Sequence, residues 1–365
     1  MRINHFLEIL ALSSMLSAQT VVFIPQSEVR VGFHPVSLAI GDFTRSATSD
    51  LVVADQGAAM LTVLRGLGDG FFIPLTTVPT GISPSAVATG DFNHDGLLDL
   101  AVANFASNSV AVLLATVGGN FRIGGNLAAR GPTAIAVGDF NGDGRLDLAV
   151  TETNSNTVAI FLGIGNGIFT PFGRITAGDR PVSVTVGDFN DDGKLDLAVA
   201  NRDSNNVSIL LGNGRGIFQA ALNFPAGELP VHVTSGDFNG DNKPDLVVAN
   251  ATGFSTGTVS VLLGVGHGVF LPPSSFTVGG NPTFVAAADF DLDGKLDLMV
   301  ANTASNTISV LLGFGNGQFL TRQTFDVGSE PTWIGIADLN ADGKPDVVVV
   351  NRLSGTVQTF INRSP

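Results

Sequence analysis

The segment PVSVTVGDF, residues 181–189, alternates Val182, Val184 and Val186 with Ser183, Thr185 and Gly187. A period of two predicts a strand with one apolar face. An acidic loop follows, and then LDLAVAN, residues 195–201, a nearly continuous apolar run that reads as a buried strand. After a tight turn at Asn205-Asn206 comes a third strand, NNVSILLG. NGRGIFQAALNF then crosses a Gly-rich hairpin into a fourth. Similar turns between second and third strands are Ser-Asn at Ser107-Asn108, Ser155-Asn156 and Ser305-Asn306. Such residues tolerate the positive φ that two-residue hairpins need.

This unit recurs along the chain. Its leading aspartates are Asp42, Asp91, Asp139, Asp188, Asp237, Asp289 and Asp338, spaced by 49, 48, 49, 49, 52 and 49 residues. The longer turn from Ala251 to Thr258 accounts for the 52. A fixed period of this length marks a repeat architecture. Four-stranded units without helices predict an all-β chain, a seven-bladed β-propeller of antiparallel blades. The stretch VVFIPQSEVRVGFHPVSLAI, residues 21–40, offers a spare fourth strand, whereas the C-terminus stops after a third strand, TVQTFIN. Joining the two closes the ring and removes the open edge that a solenoid would leave.

Composition narrows the picture. The 45 glycines suit many tight turns, and a net charge of −14 disfavours a nucleic-acid partner and electrostatic docking on anionic lipid. With no cysteine there is neither disulfide nor thiolate metal site. The first eighteen residues, MRINHFLEILALSSMLSA, resemble a secretory signal interrupted by Glu8, leaving residues 19–365 as one domain. No later run is long enough to span a membrane. The expectation is a secreted or periplasmic monomer.

The acidic loop carries the candidate chemistry. In GDFNHDGLLDLAVAN, Asp91, Asn93, Asp95 and Asp99 offer side-chain oxygens at loop positions 1, 3, 5 and 9, with the Leu97 carbonyl at position 7. The same five positions recur as Asp139, Asn141, Asp143, Arg145 and Asp147, then as Asp188, Asn190, Asp192, Lys194 and Asp196. They continue as Asp237, Asn239, Asp241, Lys243 and Asp245, as Asp289, Asp291, Asp293, Lys295 and Asp297, and as Asp338, Asn340, Asp342, Lys344 and Asp346. Hard oxygen donors of this number suit Ca²⁺, which takes about 6–8 oxygen ligands. A single copy leaves metal and bare polar turn balanced, since Asp, Asn and Gly are ordinary turn residues. Six copies without drift at positions 1, 5 and 9 favour metal. These loops hold 19 of the 32 acidic residues, and six Ca²⁺ ions would bring the net charge from −14 to about −2. The first loop, with Asp42, Thr44, Ser46 and Asp50, lacks the central carboxylate and the Gly, so weak or no binding is expected there. Asn242 replaces the loop Gly in the fifth repeat, which its tolerance of the αL region allows.

The GDFNxDGxxDLAVAN core and the Gly-Pro segment before it, as in VGGNPTFVAAADF, resemble the FG-GAP repeat and the related VCBS-type repeats of bacterial secreted proteins. The resemblance covers residues 21–365. It implies the propeller of integrin α-subunit heads, with calcium between the first two strands of some blades. Kelch repeats share the period but rest on a Tyr and Trp pattern that a chain with no Tyr and one Trp does not supply. The decayed first loop and the lack of an attached stalk or adhesion domain depart from the integrin pattern.

Two motifs fail as enzyme signals. G-x-G-x-G, as at Gly212, recurs in most repeats between strands, so it is a hairpin device and not a nucleotide loop. The five histidines, His5, His34, His94, His232 and His267, form no metal or catalytic cluster. The strand order puts acidic loops and Gly hairpins on one face of the disc. On the other, where repeats differ most, it puts Arg130, Arg180, Arg202, Glu228, Glu330, Arg352 and the turn around Phe254. Variable loops on a rigid scaffold are where binding sits. The third residue of each Pro-led strand is Ser37, Ala86, Ala134, Ser183, His232, Phe284 or Trp333. The three rings either fill a gap at the channel mouth or form a patch for sugar or peptide. The function expected is a non-catalytic recognition or adhesion module for carbohydrate or protein. The alternatives are a polysaccharide-degrading propeller and a purely structural surface protein.

Overall fold

A computed structural model describes residues 21–26, 28–320 and 323–365. The signal-like first eighteen residues lie outside them. Seven antiparallel sheets, each of four main strands, follow one another around a ring. Each begins with a Pro-led inner strand: Pro35–Gly41, Pro84–Gly90, Pro132–Gly138, Pro181–Gly187, Pro230–Gly236, Pro282–Ala288 and Pro331–Ala337. The second strand of every blade, such as Asp99–Asn104, is buried along its whole length because neighbouring blades cover both its faces. That explains its unbroken apolar run.

Phenylalanines cement blade to blade. The Phe at loop position 2 is buried in six of the seven loops, and in several it meets edge-on the Phe that follows the Gly hairpin of the next blade. Phe92 meets Phe169, Phe140 meets Phe218 and Phe189 meets Phe270, with centroids 5.2, 5.7 and 5.9 Å apart. Such pairs add roughly 0.5–1.5 kcal/mol beyond area burial. Beside each pair, a hairpin glycine N–H donates to the loop Phe carbonyl, as Gly167 to Phe92 at 2.9 Å and Gly216 to Phe140 at 2.7 Å. Gly167 sits at φ 77°, a left-handed conformation that explains the glycine, and a Cβ there would also press on the Leu114 side chain.

The ring closes as expected. Phe23–Pro25 and Val29–Arg30 pair with the last strand, Thr356–Asn362, in register Phe23 to Asn362 and Val29 to Val357. Phe23 takes the outer-strand Phe position, 5.8 Å from Phe290. The Asn362 amide replaces the missing hairpin glycine by donating to the Phe290 carbonyl at 2.9 Å.

The loop-free face is tied by a second repeating device. The residue before each strand-opening Pro has positive φ: His34, Ser83, Gly131, Arg180, Leu229, Asn281 and Glu330, between 51° and 61°. Its carbonyl accepts from the turn after the second strand, as Arg180 from Arg202 at 3.0 Å. Its N–H in four blades donates to the turn Asn of the preceding blade: Gly131 to Asn108, Arg180 to Asn156, Leu229 to Asn205 and Glu330 to Asn306, at 2.8–2.9 Å. The turn asparagines, chosen for positive φ, thus also clip neighbouring blades together.

Candidate functional site

The six complete loops share one geometry. The position-1 carboxylate accepts the N–H groups of positions 5 and 6, as Asp91 does from Asp95 at 3.1 Å and Gly96 at 2.9 Å. The position-3 oxygen also accepts from position 5, and the position-5 carboxylate accepts from position 7, both at 2.9 Å in this loop. Gly96, at φ 77°, makes the bend possible, and Asn242 holds the same conformation at φ 62°. At position 7 the side chain acts as well as the backbone. Lys194 and Lys295 reach the position-5 carboxylates of Asp192 and Asp293 at 3.0 and 2.7 Å, and Arg145 lies 3.7 Å from Asp143.

Position 9 has a role that the sequence pattern did not reveal. Asp99 is fully buried, and one oxygen accepts the Phe92 N–H at 3.0 Å while the other accepts Ala115 N–H at 2.7 Å. Asp147, Asp196, Asp245, Asp297 and Asp346 clamp their loops to the end of the third strand in the same way. No Lys or Arg among the described residues pairs with any of these six. Burial pushes Asp99, Asp147, Asp196 and Asp245 up to about 6 and Asp297 to about 7, with the neighbouring loop aspartates adding to the rise. Asp346 is raised for the same reason. Desolvation outweighs like-charge repulsion here, the reverse of the emphasis that the clustered aspartates suggest. A buried carboxylate without a cation, beside further carboxylates, has the chemistry of a site for an oxygen-preferring ion. In the sixth repeat Asp289, Asp291 and Asp297 bring carboxylate oxygens within 4.8 Å of one another, the one such acidic triad among the described residues. In the other five complete loops the position-3 donor is the amide oxygen of Asn.

The first loop keeps the fold with other means. Asp42 still accepts the Ser46 and Ala47 N–H groups at 2.9 Å. A chain of hydroxyls then links Asp50, Thr44, Ser46 and Thr48 through contacts of 2.8, 2.9 and 2.7 Å, ending on the Gly66 carbonyl. Hydroxyls thus occupy the place of the missing donors.

On the opposite face the three rings do come together. His232 and Phe284 have centroids 3.9 Å apart, and Phe284 and Trp333 4.3 Å. The His232 Nδ1 accepts the Val285 N–H at 3.5 Å, a place taken in other blades by Ser37 and Ser183. Burial drives His232 down to about 3, so it is neutral. The rings therefore pack on one another across three consecutive blades, with Phe284 buried and His232 and Trp333 half-buried.

The arginines do not converge. Arg352 pairs with Glu330 at 2.8 Å, Arg180 lies 3.8 Å from Asp203, and the buried Arg202 Nε has no partner. Arg130 is exposed, and only its backbone is engaged: its N–H donates to Glu152 and its carbonyl accepts the Asn154 N–H. Glu228 is exposed and Phe254 is 90% exposed. A feature missed by the sequence reading is a cavity of about 520 Å³ where blades two, three and four meet, bordered by Phe105, Asn154, Asp179, Arg180, Val182 and Asp203. Its residues come from three repeats, so no single motif announces it. Also missed was Glu152, fully buried where five other blades have Asn, and held by Arg174 at 2.7 Å.

A ring of antiparallel four-stranded blades with an acidic loop between the first two strands defines a repeat-built β-propeller. The chain belongs to the FG-GAP-like repeat family, which matches residues 42–102, 96–150, 139–199, 188–248, 237–300 and 289–349. No curated protein matches the sequence. Similar solved structures include BBS1N in complex with ARL6DN, at 14% identity and TM-score 0.67, covering 94% of this chain and 97% of that one. A catalytically inactive virginiamycin B lyase from Staphylococcus aureus with quinupristin has 15% identity and TM-score 0.62, covering 93% and 99%. An Agrocybe aegerita lectin recognising non-reducing terminal N-acetylglucosamine has 19% identity and TM-score 0.54, covering 81% and 79%. At these identities the likeness concerns the fold alone. No helix among the described residues is long and apolar enough to cross a membrane.

Proposed function

We propose that the protein is a calcium-stabilised, non-catalytic recognition module acting outside the cytoplasm, and that it meets a carbohydrate or protein ligand on the face opposite its acidic loops. The observation that carries this reading is the division of labour between the faces. On one, six loops repeat the same oxygen donors around buried, cation-free carboxylates. On the other, the backbone is clipped identically in blade after blade while the side chains differ.

Calcium would be held by positions 1, 3, 5 and 9 and by the position-7 carbonyl of the loops that begin at Asp91, Asp139, Asp188, Asp237, Asp289 and Asp338. Binding would neutralise the position-9 charge and pin the first two strands of each blade. The loop at Asp42 would take no ion, since hydroxyls serve there. The signal-like stretch from Met1 to Ala18 supports secretion. Equilibrium dialysis should find close to six bound Ca²⁺, and EDTA should lower the melting temperature. A melting temperature indifferent to EDTA, with no bound Ca²⁺, would sink the metal reading. A glycan and matrix-protein array run with Ca²⁺ tests recognition, and a blank array would sink that half.

A further inference from the structure

Resting on the recognition reading, we propose that the cavity at the junction of blades two, three and four is the ligand seat, and that its ligand is an uncharged sugar residue. The cavity lies beside blade four, which lacks a pairing seen in blade seven. There, Glu330 before the Pro and Arg352 in the turn close on one another at 2.8 Å. Blade four has Arg180 and Arg202 at those positions, and like charges do not close. Arg180 leans instead towards Asp203, at 3.8 Å with both side chains about half exposed. The opening left measures about 520 Å³, room for one or two hexose rings and too little for a folded partner.

Its lining suits hydroxyls. Asp179 accepts from Asn156 Nδ2 through one carboxylate oxygen at 2.9 Å, leaving the other open. The Asn154 carboxamide has no hydrogen-bond partner among the described residues and is exposed at the cavity rim. A sugar hydroxyl both donates and accepts, so it can satisfy carboxylate, amide and guanidinium in turn. Phe105 and Val182 supply apolar surface for the C–H face of a pyranose. The backbone beneath is preorganised: the Asp179 N–H donates to Ser204 Oγ at 2.7 Å and the Arg180 N–H to Asn156 at 2.9 Å. Preorganisation lowers the ordering cost of binding. Two carboxylates against one guanidinium leave the seat with a net negative charge, which disfavours uronates and sulfated sugars.

The test is isothermal titration of the calcium-loaded protein with methyl glycosides of glucose, galactose, mannose and N-acetylglucosamine, alongside glucuronate and a lysine-containing peptide. One neutral glycoside should bind. Asn154→Ala and Asp203→Ala, both at exposed positions, should each weaken it at least tenfold while leaving the calcium count and melting temperature unchanged. Glu330→Ala, on blade seven, should leave affinity unchanged. Neutral-sugar binding that ignores both cavity variants overturns the seat. Binding of glucuronate or peptide alone, lost in the same variants, overturns the sugar assignment and leaves the recognition reading standing. No binding by any probe, with calcium bound, overturns the sugar assignment, and a blank array beside it removes the recognition reading as well.

Discussion

Asp99→Asn separates the two duties of a position-9 aspartate. The substitution preserves shape, keeps one oxygen acceptor and replaces the other by an amide. One of the two N–H partners, Phe92 or Ala115, then loses its acceptor, at a cost of about 1–3 kcal/mol for a buried group. The substitution also removes a charge that burial makes unfavourable. Raising Asp99 from 3.8 to about 6 corresponds to about 3 kcal/mol by the proton-linkage relation. The loop side is open to water, so screening reduces the relief to about 1–2 kcal/mol. In EDTA the two effects nearly cancel, and the net loss should stay below about 1 kcal/mol. With Ca²⁺ saturating, the ion already compensates the charge. No relief remains, and both a ligand and a hydrogen bond are lost, at about 3 kcal/mol or more. Melting followed by calorimetry at pH 7.5, wild type against Asp99→Asn, with CaCl₂ and with EDTA, measures the four corners. The difference expected between the two conditions is several degrees at most for a chain of this length. An equal loss in both conditions would refute the reasoning, because the carboxylate would then serve as an amide clamp and nothing more.

In EDTA, acidification from pH 7.5 to 5 should raise the melting temperature. Asp99, Asp147, Asp196, Asp245 and Asp297 have native values near 6 to 7 against 3.8 unfolded. The folded state therefore takes up protons first, and that stabilisation is lost as pH rises through 6 to 7. His232, pushed down to about 3, opposes this below pH 6.5 as a single group; with Ca²⁺ present the trend should reverse, and a monotonic fall in both conditions contradicts the assignment. Arg174→Met should cost about 3–5 kcal/mol by leaving Glu152 buried and unpaired; adding Glu152→Asn, the residue other blades have, should recover most of it in urea titrations. Phe23→Ala should cost about 3–5 kcal/mol through the lost contacts with Phe290 and Phe325, whereas Phe33→Ala, 63% exposed, should leave the melting temperature within a degree or so.

The blade plan could be read from sequence because it rests on local periodicity: alternating residues of Pro181–Gly187, the unbroken run Asp196–Asn201 and the recurrent Asp. Ring closure followed from counting strands at the two ends. What stayed hidden depends on partners distant in sequence. Asp99 finds Ala115 sixteen residues on, and Asn156 finds Arg180 across a blade boundary. Nothing in a loop's own residues indicates that its ninth position is buried by a neighbouring strand. The replacement of acidic donors by hydroxyls in the first loop was visible as decay but not as a network. The cavity draws its lining from Phe105 in one repeat to Asp203 in another, so it takes shape only in the folded ring.

The residue before each strand-opening proline has a further consequence. At His34, Ser83, Gly131, Arg180, Leu229, Asn281 and Glu330 the carbonyl is occupied by the adjacent turn, and in several blades the N–H is held by an asparagine of the preceding blade. The main chain at the position is held whatever its own side chain is, so that side chain can differ from blade to blade, even though Glu330 also pairs with Arg352. The one restriction is the left-handed conformation, which disfavours β-branched residues, and none of the seven is β-branched. These positions amount to seven interchangeable sockets around one rim. A lineage, or a laboratory library, can swap their occupants one blade at a time and alter what the disc recognises without renegotiating how it folds.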